Sequence, residues 1–266
     1  MNNRIITLTT DFGYQDTFVG AVKGAILMIN PLVNIVDLTH GIKPYNIKEA
    51  ALTISMNFDA FPKDTIHIVV VDPGVGSARR SILVMTDNYY FIGPDNGVFS
   101  GVYNSGSESL QVINISAEHY FLKKGSSTFQ ARDIFAPVGA YLSKGVKINN
   151  FGDPITDYVK IPLPLSQIMG EKIQGEVIFI DRFGNAITNI SSSGIMRLKN
   201  SNPSAEIKIL LKNREVPLQV YYSKTNEKGL HSLMNSSDLL EFYVFEGNAS
   251  SEFGISIGDV VEVVLK

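Results

Sequence analysis

The stretch TIHIVVVD, Thr65 to Asp72, is apolar at nearly every position. A strand with one wet face alternates apolar and polar side chains. A strand without that alternation must be covered on both faces, which points to a largely parallel sheet between helices. The flanking sequence supplies the matching pieces. IITLTT is a short β-branched run ending at Asp11. DTFVGAVKGAILMIN has apolar residues at helical spacing, with Asp16 as the expected N-cap. VNIVDLTH reads as a second strand. NIKEAALTISMNF reads as a second helix, with Asn46 and Glu49 at capping-box spacing. SILVMT, YYFIG and LQVINIS read as further strands, and DIFAPVGAYLSKG as a closing helix with Pro137 near its start. This alternation predicts an α/β N-terminal domain with a mostly parallel sheet over residues 1–160.

The pattern changes at VKIPLPLSQIMGEK, where two prolines with no helical period predict a linker over 161–171. Beyond it, GEVIFID, AITNI, EIKILLK, PLQVYYS, LLEFYVF and DVVEVVL are short strand-like runs separated by polar turns. They predict a smaller all-β, barrel-like C-terminal domain over 172–266. A chain of 266 residues that is 44% hydrophobic can bury two such cores. The net charge of −3 leaves no electrostatic footprint for nucleic acid or an anionic membrane surface. No run approaches the roughly 20 apolar residues of a spanning helix, and MNNRIITLTT lacks a signal-peptide pattern. The expected location is the cytoplasm. The absence of cysteine excludes disulfides, thiolate nucleophiles and Cys-ligated metals. His40, His67, His119 and His231 show no i, i+4 or HExxH arrangement, so no metal site is expected. His67, inside an apolar strand, is expected to be a hydrogen-bonded core residue.

Asp11 ends the first strand and Asp72 the third. In open α/β sheets ligands bind outside the carboxyl ends of strands. Each acid therefore reads either as a ligand group or as a cap for the following turn. DPGVG lacks GxGxxG spacing and no GxxxxGK(S/T) occurs, so a phosphate-cradling loop has no support. No GxSxG elbow occurs either. In FIDRFGNAITNI, Asp181 and Asn185 flank a turn that is, taken alone, an ordinary hairpin connection. STFQARDIFAP sets Gln130, Arg132 and Asp133 just before a helix, where Asp133 is expected to act as a cap or to pair with Arg132.

Six stretches, in order, resemble one family: TTDFGYQDTFVGAVKG, VVDPGVGSARR, GPDNGVFS, STFQARDIFAP, IDRFGNAITNI and NSSDLLEFYVFEGNAS. It is the S-adenosylmethionine hydroxide adenosyltransferases, the adenosine-forming S-adenosylmethionine hydrolases, which are related to fluorinases and chlorinases. The resemblance spans nearly the whole chain. It implies an N-terminal α/β domain, a C-terminal β-barrel-like domain, and homotrimers with active sites between subunits. The implied reaction is hydrolysis of S-adenosyl-L-methionine to adenosine and L-methionine, with no cofactor and no metal. By the same resemblance, Asp11 holds the ribose hydroxyls, Tyr45 packs on the nucleoside, and Phe183, Asn248 and Ala249 recognise adenine. Asp181, Asn185 and Ser236 grip the methionine end. Asp72 and Arg79 handle the attacking water, with Gln130 where the hydrolases usually carry histidine. A glutamine donates and accepts hydrogen bonds but takes no proton at neutral pH. Ser237 stands where halogenase members carry arginine, and those members carry other residues at the Asp72 position. Two alternatives remain: a halide-using adenosyl transferase forming 5′-chloroadenosine, and a binding protein of little catalytic power.

Overall fold

The computed structural model describes residues 4–122, 127–224 and 228–266. The chain divides into two compact units, Met1–Leu163 and Pro164–Lys266.

The first unit contains β1 (Ile5–Thr10), α1 (Phe18–Ile29), β2 (Asn34–Thr39), α2 (Ile47–Asn57), β3 (Ile66–Val70), β4 (Ser81–Met85), β5 (Tyr90–Pro94), α3 (Ser100–Tyr103), β6 (Gln111–Ile115), α4 (Ala136–Ser143) and β7 (Gly152–Pro154). Its seven strands lie in the order β2-β1-β3-β5-β4-β6-β7. Neighbours from β2 to β5 are parallel, and the three remaining pairs are antiparallel. Strands β2, β1, β3, β5 and β6 therefore point one way, while β4 and β7 point the other. All five residues of β3 are buried. Ile66, Ile68 and Val70 join a core with Val22 and Ile26 of α1 and Val138 of α4. Val69 turns to the opposite face and packs with Ala50 and Ile54 of α2. That two-sided cover explains the missing alternation in the sequence. His67 is fully buried, with its Nδ1 2.7 Å from the Thr7 hydroxyl.

The helix ends agree with sequence chemistry in one case and differ in another. Asn46 caps α2, accepting from the Glu49 amide at 3.1 Å and donating to its carboxylate at 2.9 Å. At α1 the cap position falls on Thr17, not Asp16, and no side chain completes it. A π-helical turn, Ala131–Phe135, leads into α4, with Pro137 in the first turn.

The second unit contains β8 (Gln167–Met169), β9 (Lys172–Ile180), β10 (Ala186–Ser191), α5 (Ser192–Ser201), β11 (Ile207–Leu211), β12 (Arg214–Val216), β13 (Leu230–Met234), β14 (Leu239–Val244), α6 (Ala249–Phe253) and β15 (Val260–Leu265). Its antiparallel, barrel-like sheet runs β12-β11-β15-β9-β10-β14-β13, with β8 added on β9. Strands β12 and β13 and helix α6 lie outside the predicted runs, and three further features differ from expectation. Gln167–Met169, inside the predicted linker, is a hairpin strand. SSGIMRLKNS is a helix, α5, because the Ser191 side chain caps it through the Gly194 amide and Ile195 and Leu198 reach the core. PLQVYYS forms no regular strand: Leu218 makes one isolated bridge to Ser232, and Tyr222–Lys224 is a 3-10 turn.

Candidate active site

Parallel pairing of β1 with β3 sets Thr10 opposite Val70. Asp11 follows Thr10 directly and Asp72 follows Val70 after one residue, so both carboxylates emerge at the carboxyl edge of adjacent strands. A cavity of about 340 Å³ opens there, lined by Asp11, Tyr45, Asp72, Val75 and Gln130 together with an aromatic wall. The wall is a triangle of Phe12, Phe18 and Phe129, with ring centroids 5.4–6.1 Å apart. Its spacing, across the start of α1 with its preceding loop and a distant loop, has no signature in the sequence.

Asp11 is held from two sides. Its Oδ2 accepts a hydrogen bond from the Tyr45 amide at 2.8 Å. Tyr45 adopts φ +67°, an unusual conformation for a tyrosine, and its side chain stays 73% exposed. The loop carrying Asp11 is anchored on buried His40, whose ring Nδ1 lies 2.7 Å from the Thr10 hydroxyl. The His40 carbonyl accepts from the Gly13 amide at 2.8 Å. Among the described residues no hydrogen bond reaches the second Asp11 oxygen, and a carboxylate suits a vicinal diol because each oxygen accepts more than one hydrogen bond.

Asp72 leads the DPGVG turn, closed by the Val75 amide on the Asp72 carbonyl at 3.2 Å. Gly76 has φ +83° and a Cβ there would sit 3.4 Å from the Ser127 hydroxyl, so this turn needs its glycine. The turn brings Arg79 back onto Asp72 in a bidentate pair: Nε donates to Oδ1 at 2.8 Å and Nη2 donates to Oδ2. Nη2 also donates to the Gln130 Oε1. Nη1 donates to the Arg80 carbonyl at 3.1 Å and the Ser81 hydroxyl at 3.4 Å. All five N–H groups of the guanidinium are therefore engaged. Arg79 is absent from the cavity lining, whereas Asp72 and Gln130 line it. Because a guanidinium only donates, Gln130 must offer it the carbonyl, and the Gln130 Nε2 keeps its hydrogens for another acceptor. Nearby, Arg132 pairs with Asp133 at 2.6 and 2.8 Å.

In the second unit, Asp181 organises the turn after β9. Its Oδ1 accepts from the Phe183 and Asn185 amides at 2.9 and 2.8 Å, and its Oδ2 accepts from the Asn185 side chain at 3.0 Å. Phe183 projects at the tip, 74% exposed. The Ser250 amide donates to the Gly184 carbonyl at 2.9 Å. Asn248 caps α6 through the Ser251 amide at 2.8 Å, and Ala249 is fully buried. Asp181, Phe183, Asn185, Asn248 and Ala249 thus form one cluster. Ser236 lies apart, exposed in the turn between β13 and β14, with no hydrogen bond to Asp181 or Asn185.

Residues 6–152 match the model of the SAM hydroxide adenosyltransferase N-terminal domain, and residues 175–262 that of the C-terminal domain. The chain belongs to the SAM hydroxide adenosyltransferase family. Within this adenosyltransferase family, it is 37% identical to an (R)-S-adenosyl-L-methionine hydrolase from Methanocaldococcus jannaschii, across 98% of this chain and 95% of that one. A fluorinase from an Actinoplanes species is 27% identical across 71% of this chain and 72% of its own length. The crystal structure of an uncharacterized conserved protein from Thermotoga maritima superposes with a TM-score of 0.89 at 32% identity, covering 97% and 99% of the two chains. Among the described residues, no group of three or more His, Asp or Glu side chains is arranged to hold a metal ion, and no helix is long and apolar enough to cross a membrane.

Proposed function

We propose that this chain hydrolyses S-adenosyl-L-methionine to adenosine and L-methionine. The observation that carries the reading is the full-length similarity to a hydrolase of that name, joined to a carboxylate and an amide at one pole of a nucleoside-sized cavity. Water oxygen attacks the ribose C5′ in line with the C5′–S bond. That bond breaks, its electron pair passes to sulfur, and the sulfonium becomes the neutral thioether of methionine. The leaving group is already activated by its charge, so the protein's task is to position a desolvated water and remove its proton. Asp72 accepts from the water and relays the proton to solvent, while the Gln130 amide donates to its oxygen. Arg79 acts through these two groups, fixing the carboxylate plane and the amide orientation. Asp11 takes the ribose hydroxyls and Tyr45 covers the nucleoside.

The cluster around Asp181 contributes the remaining contacts. Phe183, Asn248 and Ala249 meet adenine, while Asp181, Asn185 and Ser236 meet the methionine end. The protein acts as a cytoplasmic homotrimer in which the two residue sets come from neighbouring subunits, with no cofactor. This arrangement rests on the family resemblance.

Incubation with S-adenosyl-L-methionine and separation of the products tests the reaction. Adenosine and methionine are expected in equal amounts, with the same rate in the presence of a chelator. S-adenosylhomocysteine or methylthioadenosine would show that another bond is cut. 5′-Chloroadenosine formed in chloride would favour the halide-using alternative.

A further inference from the structure

We propose that Glu241 is a positioning residue that adds a second negative charge behind Asp181 and so makes the C-terminal cluster selective for ligands bearing an ammonium group. The inference deepens the proposed function, because it concerns the methionine end of the same ligand.

Glu241 is only 3% exposed, in the middle of β14. Its Oε1 accepts from the Tyr222 hydroxyl at 2.7 Å and its Oε2 from the Asn235 side-chain amide at 3.0 Å. Both donors are neutral. Among the described residues, no Lys, Arg or His forms an ion pair with it. A buried carboxylate with no cation paired to it is costly, and a counter-charge supplied from outside the chain would offset that cost.

The pairing pattern says where that counter-charge would be. Ala186 and Phe242 pair and belong to the barrel core, so they face inward. Ile187 and Glu241 are the next pair and face the other way. By alternation Asn185 shares the Glu241 face, and Asp181 is held to Asn185 by three hydrogen-bonding contacts, one of them backbone to backbone at 3.0 Å. The same carboxylate reaches the other expected contact. Asn235, whose amide donates to Glu241, uses its Oδ1 to accept from the Ser237 and Leu239 amides at 2.9 and 3.1 Å, which shapes the turn holding Ser236. On the near side, the Tyr222 phenol is pushed up by burial first, then by its bond to Glu241, and also by the charge of Asp181. One buried anion is therefore tied by one donor to the Ser236 turn and by the other to a phenol within electrostatic reach of Asp181. An α-amino acid matches this layout, with its ammonium on Asp181, the Glu241 charge behind it, and its carboxylate at the serine turn.

The test is equilibrium calorimetry in saturating adenosine with two probes: L-methionine, and 4-(methylsulfanyl)butanoate, which keeps the thioether and carboxylate but lacks the amino group. Glu241→Gln keeps the shape and an acceptor for Tyr222. It is expected to weaken L-methionine about tenfold while leaving the des-amino probe unchanged. Equal losses for both probes would make Glu241 a purely structural residue and overturn the proposal, as would no loss at all. A wild-type protein that binds both probes alike would also overturn it. Asp181→Asn is the second variant and leaves the buried carboxylate in place. A residual preference for L-methionine is expected there, and its complete disappearance would show that Glu241 contributes nothing. Because the readout is binding, a failure of the protein to hydrolyse S-adenosyl-L-methionine would count against the reaction and leave this result standing.

Discussion

Arg79 engages every hydrogen it has on neighbouring protein groups, and this decides what its loss should do. Asp72→Asn and Arg79→Ala are each expected to lower kcat by the equivalent of roughly 2–4 kcal/mol, with little change in KM, because the contacts concerned strengthen only as the water loses its proton. Arg79→Lys should fail almost as badly, since an ammonium cannot hold both carboxylate oxygens and the Gln130 carbonyl at once. Steady-state kinetics decides: a rise in KM at constant kcat would make the pair a binding element. Gln130→His restores a group able to take a proton, and is expected to raise turnover without altering adenosine affinity. A fall in rate would mean that the Gln130 amide, as donor, suits this site better than an imidazole. His67 supplies a residue-scale prediction about stability. Burial pushes its pKa down to about 3, against about 6.5 in the unfolded chain. The folded state therefore prefers the neutral ring. Its contribution is intact above pH 6.5 and is lost as pH falls from there toward 3, at no more than about 1.4 kcal/mol per pH unit. Denaturant unfolding between pH 7 and 4 should show a slope shallower by about one proton in His67→Leu. An identical slope would assign the acid sensitivity to another group.

At the scale of elements, the turn between β9 and β10 and the N-terminus of α6 depend on one glycine. Gly184 has φ +86°, and a Cβ there would lie 2.1–2.3 Å from the Asn248 side chain. Both the backbone conformation and the space exclude a larger residue. Gly184→Ala is expected to cost about 1–3 kcal/mol of stability in the second unit. It should also raise KM for S-adenosyl-L-methionine, because Phe183 and Asn185 ride on this turn. Thermal unfolding together with KM tests the link: an unchanged KM in a destabilised variant would separate the turn from ligand binding. Strands β1 to β6 of the first unit were legible because β3 and its neighbours carry uninterrupted or periodic apolar runs, whereas the three-residue β7 has none. Helix α5 was not, since its polar residues outnumber the three that are buried and its cap, Ser191, closes a strand as much as it opens a helix. PLQVYYS has strand composition, yet it lies as an irregular segment beside β13, which shows tertiary packing overriding β propensity.

For the whole molecule, the proposed division of contacts between subunits makes a sharp prediction. Asp72→Asn lacks the water-handling carboxylate of the first unit, and Asp181→Ala lacks the ligand contact of the second. Each alone should be nearly inactive. If the two sets meet across subunits, mixing the variants under conditions that allow exchange should recover a fraction of wild-type turnover, because some sites then receive both intact halves. Light scattering should report three chains per particle. No recovery in a mixture shown to exchange subunits would place both sets within one chain.

The strand–helix alternation of the first unit, the change from an α/β part to a β part, and the candidate acids at strand ends follow from the sequence itself. Periodicity, capping residues and turn chemistry are local, and each is encoded within a dozen residues. The six family stretches hold, by resemblance, every proposed site residue except Tyr45. Three things were decided only in three dimensions. The phenylalanine triangle, Phe12–Phe18–Phe129, joins the start of α1 and its preceding loop to a loop more than a hundred residues away. The full engagement of Arg79 depends on Gln130 arriving from 51 positions away. The burial of Glu241 between Tyr222 and Asn235 depends on an irregular segment and a hairpin turn meeting the same strand. Such arrangements depend on which side chains packing leaves close together and cut off from water, and no local pattern in a single chain records that.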